Sequence, residues 1–568
     1  MNAPVFLTTS AKEAPIPQNR HRLNAAFAPF LIAALFFAVN LFYLGSYGES
    51  TDELANGIRA SFAERCFRSF FVPKHQGEVL KKPAERFYYH PVLYAFAEER
   101  TAAFLQRRFG ASGLTARHAV NLAVASFGVL AVYFLARRLF NGTVALYAQL
   151  FLVLYPHFIG HAHYNLKDVP VMVFSIPAIL FGYLAIKEGG TRRWFWAGIW
   201  WGIAVSTKLD GLFTGAVVLA GGLFRVFRKN GGPSVRRLAG GLCVFALTGG
   251  AVIYLSWPVL WFYPSFFWDC VKHFAGPFQV INVFYFGKWG PASHVPWHYS
   301  VVHLFMATPT LTFVCFLAGA AALWKTRGSL ESFLLFFWFA FPLIMHSLPH
   351  VMRYDGMRHL FLILPAMTIT AAAGLEKLLS PVRNVRLKVF IPVLLASMVL
   401  LEVKEIHPYE GSYFNEITRL LIPRRIGKLF AMDYWFQAYR EGSKWVSLHA
   451  ENGAAIKIQR PWLCTDYFLR RKDLVLLPED SKVMPDYVMD TTSQPSQIPP
   501  GSAYRGVYAL RLEGSEFMVD HVMDTTSLPF QIPPGSDYRE VYAVSRYHED
   551  LLRVYKRVPE PAGRSENG

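Results

Sequence analysis

The sequence is short of charge and of cysteine, and each shortage excludes something. Only 17% of the 568 residues are Asp, Glu, Lys or Arg, against 53% hydrophobic and 16% aromatic. A water-soluble domain carries about a quarter charged residues, so this composition excludes an ordinary soluble enzyme. The five cysteines (Cys66, Cys243, Cys270, Cys315 and Cys464) form no CxxC pair, which leaves no thiolate metal site and no disulfide framework to read. No HExxH occurs either. Acids are the scarcer charge, and the net charge is +18. That excess invites a nucleic-acid reading, but the Lys and Arg residues lie mostly in short connections between apolar runs, which is the positive-inside distribution of a membrane protein.

Long apolar runs are what the chain has in abundance. The first, residues 23–44, is 22 residues without a charge, long enough to cross a bilayer core of about 30 Å. It is too long for a cleavable signal and no small-x-small site follows it, so it reads as an uncleaved anchor. Eleven runs stand out, at 23–45, 118–136, 143–160, 169–186, 194–206, 209–227, 238–262, 299–324, 330–348, 359–376 and 388–404. They predict a polytopic α-helical membrane protein of about eleven transmembrane helices. With residues 1–22 as a cytoplasmic tail, the inside connections carry Arg137/Arg138, Lys187/Arg192/Arg193, Arg225/Arg228/Lys229/Arg236/Arg237, Lys325/Arg327 and Lys377/Arg383/Arg386/Lys388. The short outside connections carry only Lys167, Lys208 and Arg353/Arg358. The bias puts the N-terminus inside and, for an odd number of spans, the C-terminal segment outside.

Within a transmembrane domain of 23–404, two outside loops are large. Residues 46–117 include two mixed-charge stretches of helical period, 54–71 and 93–109, expected to lie as amphipathic helices on the membrane surface. Residues 263–298 are rich in Trp and Pro, as at a membrane interface. Residues 405–568 are long enough for a small extracytoplasmic α/β domain. A helix is expected there at 433–448, with strands at 456–459, 474–477, 504–510, 541–545 and 552–555. This segment holds an internal repeat: Val488-Met-Asp-Thr-Thr-Ser493 recurs at 522–527 and Gln497-Ile-Pro-Pro-Gly-Ser502 at 531–536, offset by 34 residues in both cases (522 − 488 and 531 − 497). Two copies are too few for a solenoid, so it reads as a local duplication.

The ionisable residues that break the apolar pattern share one predicted face. Asp52-Glu53 follows the first span directly; alone, the pair reads equally as the first turn of a capped helix. Lys81-Lys82 and Tyr89-His90-Pro91 lie in the first loop, and Lys167-Asp168 follows the third span. Lys208 and Asp210 separate the fifth and sixth, and Arg353, Arg358 and His359 follow the ninth. Each alone reads as a snorkelling cation or a helix cap. Together, carboxylates with Lys, Arg and His at one interface suit an anionic, membrane-borne substrate such as a lipid phosphate. His157/His161 and His346/His350 have the i,i+4 spacing of a zinc pair, but Pro349 interrupts the second, and ordinary interfacial histidines are the reading.

Several of these motifs resemble one family in order and spacing. Asp52-Glu53 after span one, His90-Pro91-Val-Leu-Tyr94, Ala136-Arg137-Arg138-Leu139-Phe140, Asn165-Leu-Lys-Asp168, Gly202-Ile-Ala-Val-Ser-Thr-Lys208, Arg358-His359 with Pro365, and His407-Pro-Tyr409 with Tyr413-Phe-Asn415 are similar to steps of the GT-C integral-membrane glycosyltransferases, specifically the bacterial protein-mannosyltransferase-like members of glycosyltransferase family 39. The resemblance covers residues 20 to about 450. Val92 stands where the family has a second proline and His359 where an aromatic is usual.

The resemblance implies a polyprenyl-phosphate-linked sugar donor and transfer to a hydroxyl on a protein, lipid or glycan acceptor, at the outer face of a bacterial inner membrane, usually with inversion. Carried over by position, Asp52 is the general base, Glu53 orients the site, and Asp168 is a second acidic group near the sugar or acceptor. Lys208, Arg358, Lys167, His90, Lys82 and Arg353 become the candidates to hold the donor phosphate. No cofactor and no metal ligand set is indicated, although a divalent metal is compatible with the class. Two other classes fit the composition: a transporter or flippase for a lipid-linked substrate, and a non-catalytic relative acting as a scaffold. A transporter would place its charges near the bilayer midplane and show repeated halves. Neither feature is legible here, and the intact Asp52, Glu53 and Asp168 speak against a dead relative.

Overall fold

The computed structural model of the protein describes residues 19–72, 89–228, 233–276, 281–423 and 425–458, together with short stretches of the segment beyond, up to residue 557. Each of the eleven apolar runs is helical. In chain order the helices before the aromatic loop are α1 (Asn19–Phe42), α2 (Thr51–Phe71), α3 (Leu93–Phe109), α4 (Gly113–Leu139), α5 (Gly142–Val153), α6 (Pro156–Tyr164), α7 (Asp168–Glu188), α8 (Thr191–Thr207), α9 (Gly211–Phe227) and α10 (Val235–Ser256). Short helices α11 (Val259–Phe262) and α12 (Phe266–Ala275) lead into a hairpin of β1 (Asn282–Tyr285) and β2 (Lys288–Pro291). Then come α13 (Tyr299–Ala307), α14 (Thr310–Lys325), α15 (Leu330–Ser347), α16 (Leu364–Leu379, preceded by a 3₁₀ turn at Arg358–Ile363) and α17 (Val385–Ile406).

Among the described residues, α4, α7, α10, α15 and the combined Arg358–Leu379 segment are each long and apolar enough to cross a membrane. Two further runs are helix pairs, α5–α6 bent by 66° and α13–α14 bent by 114°, which raises the count to seven. Against the expectation of about eleven transmembrane helices, the described residues thus give five to seven of sufficient length and apolarity. Helices α8 and α9 are shorter, at 17 residues each, and α17, at 22 residues, carries Arg386, Lys388, Glu402, Lys404 and Glu405 towards its ends. The core lies where these helices meet. Between α14 and α16 the backbones touch: a Cβ on Gly319 would stand 1.9 Å from the Thr370 carbonyl oxygen, and one on Gly374 1.9 Å from that of Cys315. In lipid, small residues that allow such close approach hold helices together by contact rather than by exclusion of water.

The α13–α14 bend opens backbone groups that a continuous helix would have satisfied, and unpaired groups are costly at membrane depth. Residues after α17 fill them. Asn415 donates its side-chain N–H groups to the Phe305 and Thr308 carbonyls at 2.7 and 2.9 Å, and its backbone N–H to Met306 at 2.7 Å. The Glu416 carboxylate accepts the Thr310 backbone N–H at 3.1 Å and its hydroxyl at 2.5 Å.

Beyond α17 lie α18 (Glu416–Leu421) and α19 (Tyr439–His449). The helix expected at 433–448 starts six residues late. The Asp433 carboxylate accepts the Gln437 and Ala438 backbone N–H groups at 3.0 and 2.7 Å, and Phe436 is left-handed at φ 61°, so the chain turns before it winds. A five-stranded sheet follows, from β3 (Ala455–Ile458), β4 (Val475–Leu477), β5 (Tyr487–Thr491), β8 (Tyr538–Arg546) and β9 (Glu549–Arg557), with a separate pair β6 (Leu510–Arg511) and β7 (Met518–Val519). Its order is β4-β3-β5-β9-β8, parallel on the β4 side and antiparallel on the β8 side. Strand β5 was not expected from the sequence; it begins the first repeat copy. The second copies of both repeat motifs, and most of the strand expected at 504–510, lie outside the described residues.

Candidate active site

Asp52 and Glu53 open α2, where Ser50 and Glu53 form a capping box. Neighbours on a helix point about 100° apart, so the two carboxylates part company. Glu53 turns inward. Its carboxylate accepts the Ser50 backbone N–H at 2.6 Å and lies 3.0 Å from His118 Nε2 of α4. Asp52 faces the polar end of the helices. Its Oδ2 lies 2.9 Å from Lys167 Nζ and 2.8 Å from Arg358 Nη1.

A second pair stands beside the first. Lys208, between α8 and α9, places Nζ 2.6 Å from Asp168 Oδ1, 2.6 Å from Asp210 Oδ2 and 3.3 Å from His359 Nδ1. Asn165 fixes Asp168: its amide N–H donates to Oδ2 at 3.0 Å, and its carbonyl oxygen accepts the Asp168 backbone N–H at 2.8 Å, capping α7. Asp168, Asp210 and His359 each present one ligand atom within 4.8 Å of the others, a donor set that suits a divalent ion. Here all three contact one ammonium, which supplies the positive charge at that point. The sequence did not signal this grouping, because Asp210 and His359 come from different connections.

Arg358 is held on several sides. Nε lies 3.1 Å from Asp355 Oδ2, and the guanidinium carbon lies 5.2 Å from the Tyr354 ring and 4.9 Å from the Trp435 ring. Trp435 belongs to the segment after α17, which thereby reaches the site. Tyr434 beside it hydrogen-bonds His161 Nε2 at 3.2 Å. His157 Nε2 instead faces the Tyr413 carbonyl at 3.0 Å, so the i,i+4 histidines do not converge on one ligand position. Arg59 was not singled out in the sequence. It is buried in α2, hydrogen-bonded to Asn56 at 2.6 Å, and its charge acts on Asp52. It lies seven residues on from Asp52, two helical turns along the same face, which is the signal that could have found it.

The electrostatics follow from burial. Burial pushes the Asp52 pKa up, but Lys167, Arg358 and Arg59 outweigh it and hold the carboxylate well below its usual range. Burial also lowers Lys167, to about 8; Asp52 opposes that fall, and Arg59 and Arg358 add to it. Lys208 is burdened by burial too, yet Asp168 and Asp210 raise it above a free lysine. His90, beside Phe274, is driven well below its usual value by burial and then by Arg59 and Lys167, so it stays neutral near the cations.

Arg353 is not brought to this cluster. Its guanidinium donates to the Val295 carbonyl at 2.5 and 3.1 Å, to Leu348 at 2.7 Å and to His346 at 3.3 Å, so it ties the aromatic loop to the end of α15. Lys82 lies outside the described residues. The candidates that meet in space are thus Asp52, Lys167, Arg358, Asp168 and Lys208, with His90 at the edge and Glu53 behind.

Residues 91–257 match a family model described as dolichyl-phosphate-mannose-protein mannosyltransferase. Over that stretch the chain resembles this family. The matched region contains the Asn165–Asp168 and Gly202–Lys208 motifs; Asp52 and Arg358 lie outside it. Several helices of span length accompany the match, and the chain is an integral membrane protein. Among solved structures, ArnT from Cupriavidus metallidurans bound to undecaprenyl phosphate is 15% identical, with a TM-score of 0.47, over 80% of this chain and 86% of that one. The archaeal oligosaccharyltransferase AglB from Archaeoglobus fulgidus, in complex with an inhibitory peptide and a dolichol-phosphate, is 11% identical, with a TM-score of 0.47, over 81% of this chain and 65% of that one. No curated protein matches the chain.

Proposed function

We propose that this protein is a GT-C glycosyltransferase that moves a sugar from a polyprenyl-phosphate donor to a hydroxyl of a protein, lipid or glycan acceptor. In this reading transfer occurs at the outer face of the inner membrane, with inversion at the anomeric carbon. The observation that carries it is the contact of one carboxylate, Asp52, with two buried cations, Lys167 and Arg358.

The chemistry balances on these groups. The acceptor oxygen bonds to the anomeric carbon and gives its proton to Asp52. The bond from that carbon to the phosphate oxygen breaks, and the electron pair leaves with the lipid phosphate. Cations already in place at that oxygen stabilise the growing charge without reorganising, and Lys167, Arg358, Lys208 and Arg59 are available for this. A carboxylate pinned by two cations is a weak base. A phosphate that draws Lys167 and Arg358 towards itself leaves Asp52 more basic, so donor arrival arms the base. Asp168, held by Asn165 and Lys208, positions Lys208 and borders the sugar or acceptor.

The test is sugar release from a panel of polyprenyl-phosphate sugars by purified protein in detergent, beside Asp52→Asn. The expected result is turnover of one donor by the wild type and a loss of at least about 100-fold in the variant. Turnover unaffected by the substitution would remove Asp52 as the base while keeping the reaction class. Binding of a donor with turnover of none would overturn the reading in favour of transport or scaffolding.

A further inference from the structure

The end of the helices away from Asp52 holds a cavity of about 460 Å³, within the size range of small-ligand sites. The far ends of α7, α8, α9 and α10 wall it. Lys187, Arg225, Arg236 and Arg237 supply its cations, Glu188 its one carboxylate, and the buried Trp194 part of its floor.

The acids nearby are already engaged. Lys187 lies 2.7 Å from Glu331, and Glu188 lies 2.6 Å from Arg193. Among the described residues no carboxylate is paired with Arg236 or Arg237. Two helices also begin at this cavity, α8 at Thr191 and α10 at Val235. A helix start favours acids because its free N–H groups carry partial positive charge. Neither first turn contains one; they hold Arg192/Arg193 and Arg236/Arg237 instead. Like charges thus converge on a formed cavity, an arrangement that a bound anion relieves. Close in sequence to the lining residues, Phe227 at the end of α9 is 80% exposed and Val235 at the start of α10 69%.

We propose that this cavity binds the phosphate of an anionic phospholipid, its acyl chains lying along Phe227 and Val235. Basic pockets between membrane helices suit such headgroups, and the site is separate from the Asp52 cluster at the other end of the same helices.

The test is native mass spectrometry of the purified full chain with phosphatidylglycerol or phosphatidylcholine. Retention of phosphatidylglycerol over phosphatidylcholine is expected in the wild type, falling about tenfold or more in Arg236→Gln/Arg237→Gln and persisting in Arg236→Lys/Arg237→Lys. Unchanged melting temperature in phosphatidylcholine shows that the variants are folded. Equal retention in the wild type and the Gln variant would overturn the site, as would no preference between the two lipids. Inorganic phosphate added alone is expected to leave phosphatidylglycerol bound; displacement at matched concentration would make this a free-anion site and overturn the lipid assignment.

Discussion

Arg358 donates a hydrogen bond of 2.8 Å to Asp52 across 306 positions of chain. The contact joins the start of α2 to the turn before α16. It means that the proposed base and its neighbouring cation can be perturbed separately.

Trp435 supports that cation from the segment after α17. An aromatic face over a desolvated guanidinium contributes about 1–2 kcal/mol. Trp435→Ala is expected to raise KM for the donor about tenfold, with kcat falling less. Steady-state kinetics on the donor found by the sugar panel check this. A change confined to kcat would mean that the ring does not act through Arg358.

Glu53 and Asp52 should respond differently to loss of charge. Glu53→Gln keeps an acceptor for the Ser50 N–H but weakens the contact with His118. The expected outcome is a stability loss of about 1–2 kcal/mol and a kcat reduced by less than about tenfold. Kinetics separates this from Asp52→Asn, where activity falls at least about 100-fold and the loss of the counter-charge for Lys167 and Arg358 lowers stability as well.

Lys208 is the charge that two carboxylates share. Lys208→Met leaves Asp168 and Asp210 facing each other without it, and breaking a buried pair costs about 3 kcal/mol or more. The double variant Lys208→Met/Asp168→Asn is expected to recover part of that loss, which thermal melts of the two proteins will show.

The pH dependence should come from Lys167. Burial takes its pKa from the usual 10.5 down to about 8 in the folded protein. Between those values the unfolded chain binds more protons than the native one, so this group adds stability as pH rises through the window. Its ion pair with Asp52 and its grip on a phosphate are lost over the same window. Donor affinity is therefore expected to fall above a pH of about 8 without a matching fall in stability on this residue's account. Lys167→Arg should abolish that fall in binding titrations.

Much of the fold was legible because apolar periodicity is a local property. The stretch at 93–109 and helix α3 share both ends. The acidic pair was legible as a site, but not the divergence of its members, since adjacent letters give no hint that one carboxylate turns back to His118. Arg358 carried a family motif in the sequence, whereas Arg353 was a candidate by its place in the same connection alone. The Val295 carbonyl, brought near by the aromatic loop, and the Leu348 carbonyl at the end of α15 make Arg353 a strut rather than a site cation. Tyr434 and Trp435 carry no local signature, because their partners are set by how the segment after α17 folds back.

Asn415 and Glu416 fill the break between α13 and α14, and this fixes where the chain can be cut. A shortened protein ending near residue 405 would leave the carbonyls of Met306 and Thr308 without the bonds that Asn415 supplies. One ending near 450 would keep that plug, along with Trp435. Asn415 and Glu416 are built into the helices' own packing, whereas α19 further along the same stretch packs towards the sheet, with Trp445 against Tyr487 and Arg471 donating to the Ser447 and Ala450 carbonyls.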